Sequence, residues 1–258
     1  MTIAHDGRRF LVPASRNLSR DLLAFHQGVP LCGHDRRMNL ATVAAVRQAS
    51  PVRVSWPALF LKAYGLVARK FPELRQTWYR WPWAHIYQHP LSVATLAVQR
   101  ELAGEPWLFW GRIVEPEALP LIEIQRRIDW YRDGDASAVF KKQIRFARLP
   151  TVMRRLMWHW NLGVATAKRA DRIGTFFLST LAGRGVEIQL PPSVQTGCLT
   201  FGPLDNDQFA RVTLAYDHRI MDGALVADVL AELERTLNGS LVAELTDIKS
   251  GSAIRPAA

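Results

Sequence analysis

The chain has 258 residues, a formal net charge of +10 and an apolar fraction of 48%. This balance is typical of a globular protein with a buried core and excludes disordered and fibrous classes, which have too few apolar residues or a strict repeat. The two cysteines, Cys32 and Cys198, show no metal-binding spacing, so we expect reduced thiols. The first nine residues become charged before any apolar stretch develops, which predicts no signal peptide and a cytoplasmic location.

The positive charge is concentrated in one part of the chain. Between Lys141 and Arg172 there are nine basic residues and one acidic residue, so this stretch carries +8 of the total of +10. The rest of the chain is nearly neutral. We call residues 141–172 the basic segment. A local excess of this size indicates one charged surface on an otherwise balanced protein.

Hydrophobic spacing predicts helices and strands in turn through the first half of the chain. The stretch 16–27 predicts a helix that turns Asp21 away from its apolar side. Ser55 and Pro57 predict the start of a buried helix, because serine caps helices and proline fits the first helical turn. The other elements follow from the same patterns: a helix over 39–47, strands over 93–99 and 107–113, and a helix over 120–132.

Within the basic segment, apolar residues recur at helical spacing over 151–160. The pattern predicts an amphipathic helix that packs its apolar side on the core and leaves Arg154 and Arg155 in solvent. The apolar side chains of this helix are Val152, Met153, Leu156, Met157 and Trp160.

The last part of the chain has the clearest local pattern. A strand over 209–217 leads into a polar turn at 217–223, and a helix follows that ends at Gly239. We expect the tail, 241–258, to be mobile because it ends in small residues and proline. No linker or repeat divides the sequence, so we predict a single domain over 1–240.

The turn at 217–223 gathers Asp217, His218, Arg219 and Asp222 within six positions and ends on a glycine. A neutral imidazole can accept a proton near pH 7, which makes His218 a candidate general base. Taken alone, the same pattern also fits a surface histidine or one that is hydrogen-bonded in the core.

Asp217-His-Arg-Ile-Met-Asp-Gly-Ala224 resembles the H-x-x-x-D-G signature of the dihydrolipoamide acyltransferase core of 2-oxo acid dehydrogenase complexes, a signature shared by chloramphenicol acetyltransferase. Residues 174–183 resemble the family's G-T-F-T-I-S-N-L-G segment, and residues 190–202 resemble its N-P-P-Q-A-A-I-L-G-V-G stretch. The resemblance is colinear over roughly 8–238. Its N-terminal part comprises Ser15–Arg20, Val29-Pro30 and Trp56–Leu74, after which Arg75 replaces the family's asparagine.

The resemblance implies a chloramphenicol acetyltransferase-like α/β (α+β) fold, a two-layer sandwich of a mixed sheet with helices, that forms trimers with active sites between subunits. It implies that His218 is the general base and that Ser179 donates a hydrogen bond to the oxyanion. Without the resemblance, Ser179 would be read as a strand hydroxyl bonded to the backbone. Asp222 would hold the site through an arginine, for which Arg16 and Arg20 are candidates by position.

The implied activity is transfer of an acyl group between a CoA thioester and a thiol, hydroxyl or amine acceptor. CoA or acyl-CoA would then be a substrate, with no permanently bound cofactor and no metal. The family's lipoyl and peripheral-subunit binding domains have no counterpart here, and Lys62 lies in a buried-helix pattern, so we expect no lipoyl lysine. The alternative is a non-catalytic trimeric scaffold of the same fold that binds through its basic segment.

The family usually has a short connection before G-T-F, so the basic segment is interpreted as an insertion. Its charge fits a solvated helix edge, an acidic acyl carrier, the phosphates of CoA or an anionic membrane surface. The last interpretation would make the protein membrane-peripheral. Nucleic acid is not expected as a partner, because no recognised binding module accompanies the charge.

Two further patterns have weaker interpretations. His85 and His89 have a spacing that would place two metal ligands on one face of a helix, but Pro82 and Pro90 argue against a helix there. A run of tryptophans fits either the core or the lining of a hydrophobic acceptor pocket: Trp78, Trp81, Trp83, Trp107 and Trp110.

Overall fold

The computed structural model describes residues 7–250. Ten helices are described in this part of the chain: α1 (Asn17–His26), α2 (Ala41–Gln48), α3 (Trp56–Lys70), α4 (Leu121–Asp133), α5 (Ala136–Val139), α6 (Lys141–Ala147), α7 (Thr151–Gly163), α8 (Thr166–Ile173), α9 (Gly223–Asn238) and α10 (Ser240–Lys249). Eight strands accompany them: β1 (Leu31–Asn39), β2 (Gln76–Tyr79), β3 (His85–Gln88), β4 (Val93–Leu102), β5 (Glu105–Val114), β6 (Phe176–Ser179), β7 (Gly197–Phe201) and β8 (Phe209–Asp217).

Six strands form one mixed sheet in the order β1-β8-β7-β6-β4-β5, and β2 and β3 form a separate hairpin. The central strand β6 runs parallel to both β4 and β7, whereas the other neighbours are antiparallel. This arrangement of a mixed sheet with helices confirms the predicted fold class.

The main core lies between one face of the sheet and the helices α3 and α9, and we call this the first face. The second face is the side of the sheet that carries Phe177, Cys198 and Ala215. Phe60 and Tyr64 of α3 stack on Phe201 and Phe176 of the sheet, with ring centroids 4.3 and 3.9 Å apart. The helix starts where predicted, with Pro57 in its first turn, but the hydroxyl of Ser55 makes no capping hydrogen bond. Burial of aromatic and aliphatic side chains therefore fixes α3 without help from that cap.

The basic segment folds as α6, α7 and α8, and the predicted orientation of the helix over 151–160 is wrong. In α7 the side chain of Arg154 is only 2% exposed. The apolar residues predicted to face the core point outwards instead: Val152, Met153, Leu156, Met157 and Trp160, which are 44–79% exposed.

A buried ion pair causes this reversal. The Nε of Arg154 lies 2.7 Å from Oδ2 of Asp21 in α1, and Arg155 binds the other oxygen of the same carboxylate at 3.0 Å. Asp21 is 1% exposed, so its predicted solvent position is also wrong. Leu149 and Thr151 accept further hydrogen bonds from the Arg154 guanidinium, which leaves this buried charge well solvated by protein.

The prediction of a mobile tail is wrong for the part of 241–258 that the structure describes. Helix α10 buries Leu241, Leu245 and Ile248 against the core. Its Glu244 forms an ion pair with Lys62 of α3 at 2.5 Å, and Lys62 also donates to the carbonyl of Leu119. The last eight residues of the chain lie outside the described part.

In the stretch 7–250, no helix combines the length and apolar character needed to cross a lipid bilayer.

Candidate functional site

The turn predicted to carry the chemistry is held rigidly between β8 and α9. The guanidinium of Arg219 forms a bidentate ion pair with the carboxylate of Asp217. Its Nε lies 2.8 Å from Oδ1 and its Nη2 lies 2.6 Å from Oδ2. The same guanidinium lies 4.2 Å above the ring of Trp78. A paired, stacked arginine of this kind fixes the turn, because its planar fork loses little freedom per bond formed.

His218 lies between these two anchored residues of the turn and is exposed. Its backbone N–H donates to the carbonyl of Pro30 at 3.1 Å. Its imidazole contacts the ring of Tyr216, with centroids 5.6 Å apart. An accessible imidazole on a fixed backbone can receive a proton from a reacting group.

A second histidine, His34 of β1, completes this end of the sheet and was missed by the sequence analysis. Its ring stacks on Tyr216 from the neighbouring strand at 5.4 Å. Gly223 packs closely beside it: a Cβ at that position would lie 3.2 Å from Nε2 of His34, so the imidazole would have to shift slightly. The cross-strand pairing that brings His34 here leaves no local signal in the sequence.

Asp222 caps α9: its Oδ1 accepts a hydrogen bond from the backbone N–H of Leu225 at 3.0 Å. Within residues 7–250, no ion pair joins Asp222 to Arg16, Arg20 or any other cation, so the structure does not provide the expected arginine partner within one chain. Burial raises the pKa of Tyr216, and the nearby Cys32 and Asp222 raise it further.

Ser179 lies at the carboxyl end of β6 and is half-buried. Its hydroxyl makes no hydrogen bond within the described residues, whereas the next hydroxyl, Thr180, donates to the carbonyl of Phe201. The strand begins after Gly174, which has φ of +93° and leaves no room for a Cβ beside Thr95. The Ser179 hydroxyl is therefore free to donate to another group.

One chain does not bring Ser179 and His218 together. Ser179 pairs with Thr200 of β7, and Thr200 pairs with Thr213 of β8. His218 follows Thr213 by five residues, about 16 Å along the strand, and two strand spacings add about 10 Å sideways. The two side chains therefore lie at opposite ends of the sheet.

His85 begins β3 and His89 directly follows that strand, so the pair does not lie on a helix. His85 stacks on Tyr79 at 5.3 Å, and His89 is buried with its Nε2 3.3 Å from the hydroxyl of Thr77. Burial, followed by the charge of Arg169, lowers the pKa of His89 to about 4. Over the described residues, no cluster of three or more His, Cys, Asp or Glu side chains could hold a metal ion.

The tryptophans of the run predicted to lie in the core or in an acceptor pocket do not share one environment. Trp107 belongs to the core, whereas Trp81 and Trp83 are 64% and 71% exposed. Trp110 is half-buried on the second face of the sheet, where it borders a cavity.

No family model and no curated protein matches this sequence. Solved structures do match it. A probable dihydrolipoamide acetyltransferase from Listeria monocytogenes 4b F2365 has a TM-score of 0.61 at 17% identity, and the match covers 98% of this chain and 99% of that one. The dihydrolipoamide acetyltransferase of Azotobacter vinelandii gives 0.63 at 16% identity over 93% and 95% of the two chains.

That Azotobacter structure was studied for the roles of a serine, a histidine and an asparagine in its catalytic mechanism. A chloramphenicol acetyltransferase is also similar, with a TM-score of 0.51 at 13% identity over 89% of this chain and all of that one. The chain therefore has the fold of dihydrolipoamide acetyltransferase catalytic cores and of chloramphenicol acetyltransferase, as the sequence motifs predicted.

Proposed function

We propose that this protein is an acyltransferase that moves an acyl group from a CoA thioester to a thiol, hydroxyl or amine acceptor. His218 acts as the general base and Ser179 as the oxyanion donor. The observation that carries the proposal is the exposed His218 on its anchored turn, in a fold shared with a dihydrolipoamide acetyltransferase and a chloramphenicol acetyltransferase. The Azotobacter histidine and asparagine are four positions apart, as are His218 and Asp222 here.

The site forms between copies of the chain in a homotrimer. Ser179 and His218 lie too far apart in one chain to act on the same carbonyl group, and both are accessible at the ends of their strands. A neighbouring chain that presents its Ser179 to this His218 completes the site. In a cyclic trimer this contact repeats three times, because each interface joins the two different ends of the sheet.

The chemical step then balances as follows. As the acceptor attacks the thioester carbonyl, its proton moves to the imidazole of His218. The carbonyl oxygen becomes an oxyanion, which accepts a hydrogen bond from the Ser179 hydroxyl of the neighbouring chain. When the tetrahedral intermediate collapses, the carbon–sulfur bond breaks and the CoA sulfur takes the proton back from the imidazolium.

Asp222 is a positioning residue in this mechanism. It caps α9 and so fixes the carboxyl end of the turn that carries His218. CoA enters as a substrate and no resident cofactor is needed. The amine of Lys62 is paired with Glu244 and is 10% exposed, so Lys62 itself is poorly placed to carry a lipoyl group.

The basic segment retains charge for a partner even after its internal pairs are formed. Arg154 and Arg155 bind Asp21, and Arg169 is buried with its guanidinium bonded to backbone carbonyls. Six exposed cations form no ion pair within the described residues: Lys141, Lys142, Arg145, Arg148, Lys168 and Arg172. They fit the phosphates of CoA, an acidic acyl carrier or an anionic membrane surface.

Thiol release from acyl-CoA tests the proposal. The purified chain is incubated with acetyl-CoA and longer acyl-CoAs in the presence of dihydrolipoamide or a simple amine, and free CoA is followed over time. His218→Ala should lower kcat by about 10²–10⁴-fold, the usual contribution of a general base. His85→Ala, on the hairpin, is the matched control and should leave the rate unchanged. A wild-type chain that releases no thiol from any acyl-CoA would instead favour the non-catalytic scaffold.

A further inference from the structure

The outward-facing side of α7 borders a large cavity. Leu156, Met157 and Trp160 line it, together with residues of α1, α4 and α6 and of the second sheet face. Its volume is about 1220 Å³, whereas small-molecule sites typically measure about 300–1000 Å³. An acetyl group, with two carbons, would fill little of this space.

The proposed oxyanion donor Ser179 does not itself line the cavity, but it lies on the sheet face that does. Phe177 lines the cavity, and Ser179 faces the same side of β6 because alternate residues of a strand share a face. The pairing of Leu96 with Leu178 places Ala97 beside Ser179 in the next step of the register. Ala97 pairs with Trp110, which also lines the cavity. Ser179 therefore lies in the same cross-strand row as Trp110, next to the lining residues and not among them.

One polar group in the cavity wall lacks a partner. The indole Nε1 of Trp158 is buried and has no hydrogen-bond acceptor in the described part of the chain. The ring itself is held by Phe25 and Trp110, with centroids 5.5 and 6.3 Å away. An indole N–H can only donate, so an oxygen atom of a bound ligand would satisfy it.

Four cations also line the cavity and form no ion pair within residues 7–250: Arg112, Lys141, Lys142 and Arg172. Lys141 and Lys142 are exposed at the start of α6. The next residue, Gln143, bonds both the N–H and the carbonyl of Trp110, at 3.0 and 2.7 Å. This pair of bonds fixes the lysines near the same row of the sheet that contains Ser179. Their charge complements an anionic ligand.

We propose that this cavity binds the hydrocarbon chain of a long-chain acyl substrate whose polar end is anionic. The inference rests on the proposed function, since it names the substrate class of that same site. The apolar walls take the chain, and the Trp158 indole meets an oxygen of the polar end. Lys141 and Lys142 bind the negative charge of the CoA phosphates in an acyl-CoA. A free fatty acid, which has no thioester to transfer, would occupy the cavity as a ligand only and present its carboxylate to the same lysines.

Calorimetric titration of the full chain tests the proposal without requiring turnover. The probes are palmitate, octanoate, palmitoyl-CoA and CoA alone, and the protein carries Ser179→Ala so that no acyl group is consumed. Palmitate should bind at least tenfold more tightly than octanoate, and palmitoyl-CoA at least tenfold more tightly than CoA. Equal affinities within each pair would overturn the proposal. A chain-length preference for palmitate alone would identify a free fatty acid as the ligand, whereas a preference for palmitoyl-CoA over CoA would identify the acyl donor.

Substitutions locate the site. Met157→Asp places a charge in the cavity wall and should weaken palmitate binding at least tenfold. Val152→Asp is the matched control, because Val152 is exposed on the same helix but does not line the cavity. The double variant Lys141→Ser, Lys142→Ser should weaken both anionic probes, whereas Lys168→Ser should not.

The outcomes separate the two proposals. Palmitate binding in a chain that transfers no acyl group would refute the proposed function and leave this inference standing. Acetyl transfer by a chain that does not bind palmitate would refute this inference and leave the proposed function standing. If Met157→Asp changes the oligomeric state and leaves palmitate affinity unchanged, the α7 face is a contact between copies and the inference is wrong.

Discussion

Arg154 of α7 and Asp21 of α1 form an ion pair at 2.7 Å that is almost completely removed from water, with exposed side-chain fractions of 2% and 1%. The pair joins the basic segment to the N-terminal helix. It also decides which side of α7 faces the protein, because an unpaired buried charge is far more costly than an exposed leucine.

Removing one member of this pair should destabilise the protein strongly. Arg154→Met leaves the buried Asp21 carboxylate with Arg155 alone, so we expect a loss of about 3–5 kcal/mol in the free energy of unfolding. Arg155→Met is the matched control. Its side chain is 38% exposed, and its loss should cost about 1 kcal/mol or less. Urea unfolding measures both, and equal effects would contradict the dominant role of Arg154.

Mixing two inactive chains should restore activity. His218→Ala and Ser179→Ala are each expected to be nearly inactive, but a trimer that contains both has sites with an intact histidine and an intact serine from different chains. Random mixing of equal amounts gives about one quarter of such sites. Co-expression of two tagged variants, followed by an acyl-transfer assay, measures the recovery. If each site instead forms within one chain, mixing the two variants restores no activity.

Asp222→Asn should be tolerated better than Asp222→Ala. Asparagine caps a helix as well as aspartate does, so α9 and the turn before it keep their geometry. Alanine removes the cap, and we expect a cost of about 0.5–2 kcal/mol together with a lower kcat. Asp228→Ala, an exposed change on the same helix, controls for loss of charge. Thermal unfolding and kcat would be measured in parallel, and an alanine variant equal to the asparagine variant would rule out the capping role.

His89 should make stability fall in mild acid. Its pKa is lowered from 6.5 to about 4 in the folded protein, so the unfolded chain binds a proton that the folded chain does not between these values. The contribution of His89 is fully present above pH 6.5 and is lost as pH falls towards 4, by about 1.4 kcal/mol per pH unit. His89→Asn should flatten this part of the curve. Chemical unfolding at pH 4–7 measures the free energy of unfolding of both proteins. If it depends on pH equally in His89→Asn and in the wild type, the role of His89 is refuted.

The fold could be predicted from the sequence where local pattern and tertiary structure agree. The helix after Ser55, the strand before the His218 turn and the helix after it all follow apolar spacing that ends in burial. Helix α10 had the same signal in Leu241, Leu245 and Ile248, but the small residues beyond it dominated the interpretation. The orientation of α7 could not be predicted, because it depends on Asp21, which lies 133 residues away from Arg154.

The candidate site was also only partly predictable from the sequence. The roles proposed for His218 and Ser179 come from the resemblance of short motifs, and the structure places the two residues at two accessible ends of the sheet. Their separation becomes visible only in the pairing of β6, β7 and β8, which no local pattern encodes. His34 was missed for a related reason, since a histidine in a polar edge strand has no distinguishing neighbours.

The ion pair between Lys62 and Glu244 also bears on how the chain is made. Lys62 is buried in the central helix α3, yet its carboxylate partner is synthesised 182 residues later. In the part of the chain that the structure describes, strand β1 likewise pairs only with β8, which is synthesised much later. Until Glu244 is in place, the Lys62 amine has only the carbonyl of Leu119 as a partner among residues 7–250. We expect the main core, which includes Leu241, Leu245 and Ile248, to be completed only after α10 has been synthesised, and incomplete cores of this kind are prone to aggregation.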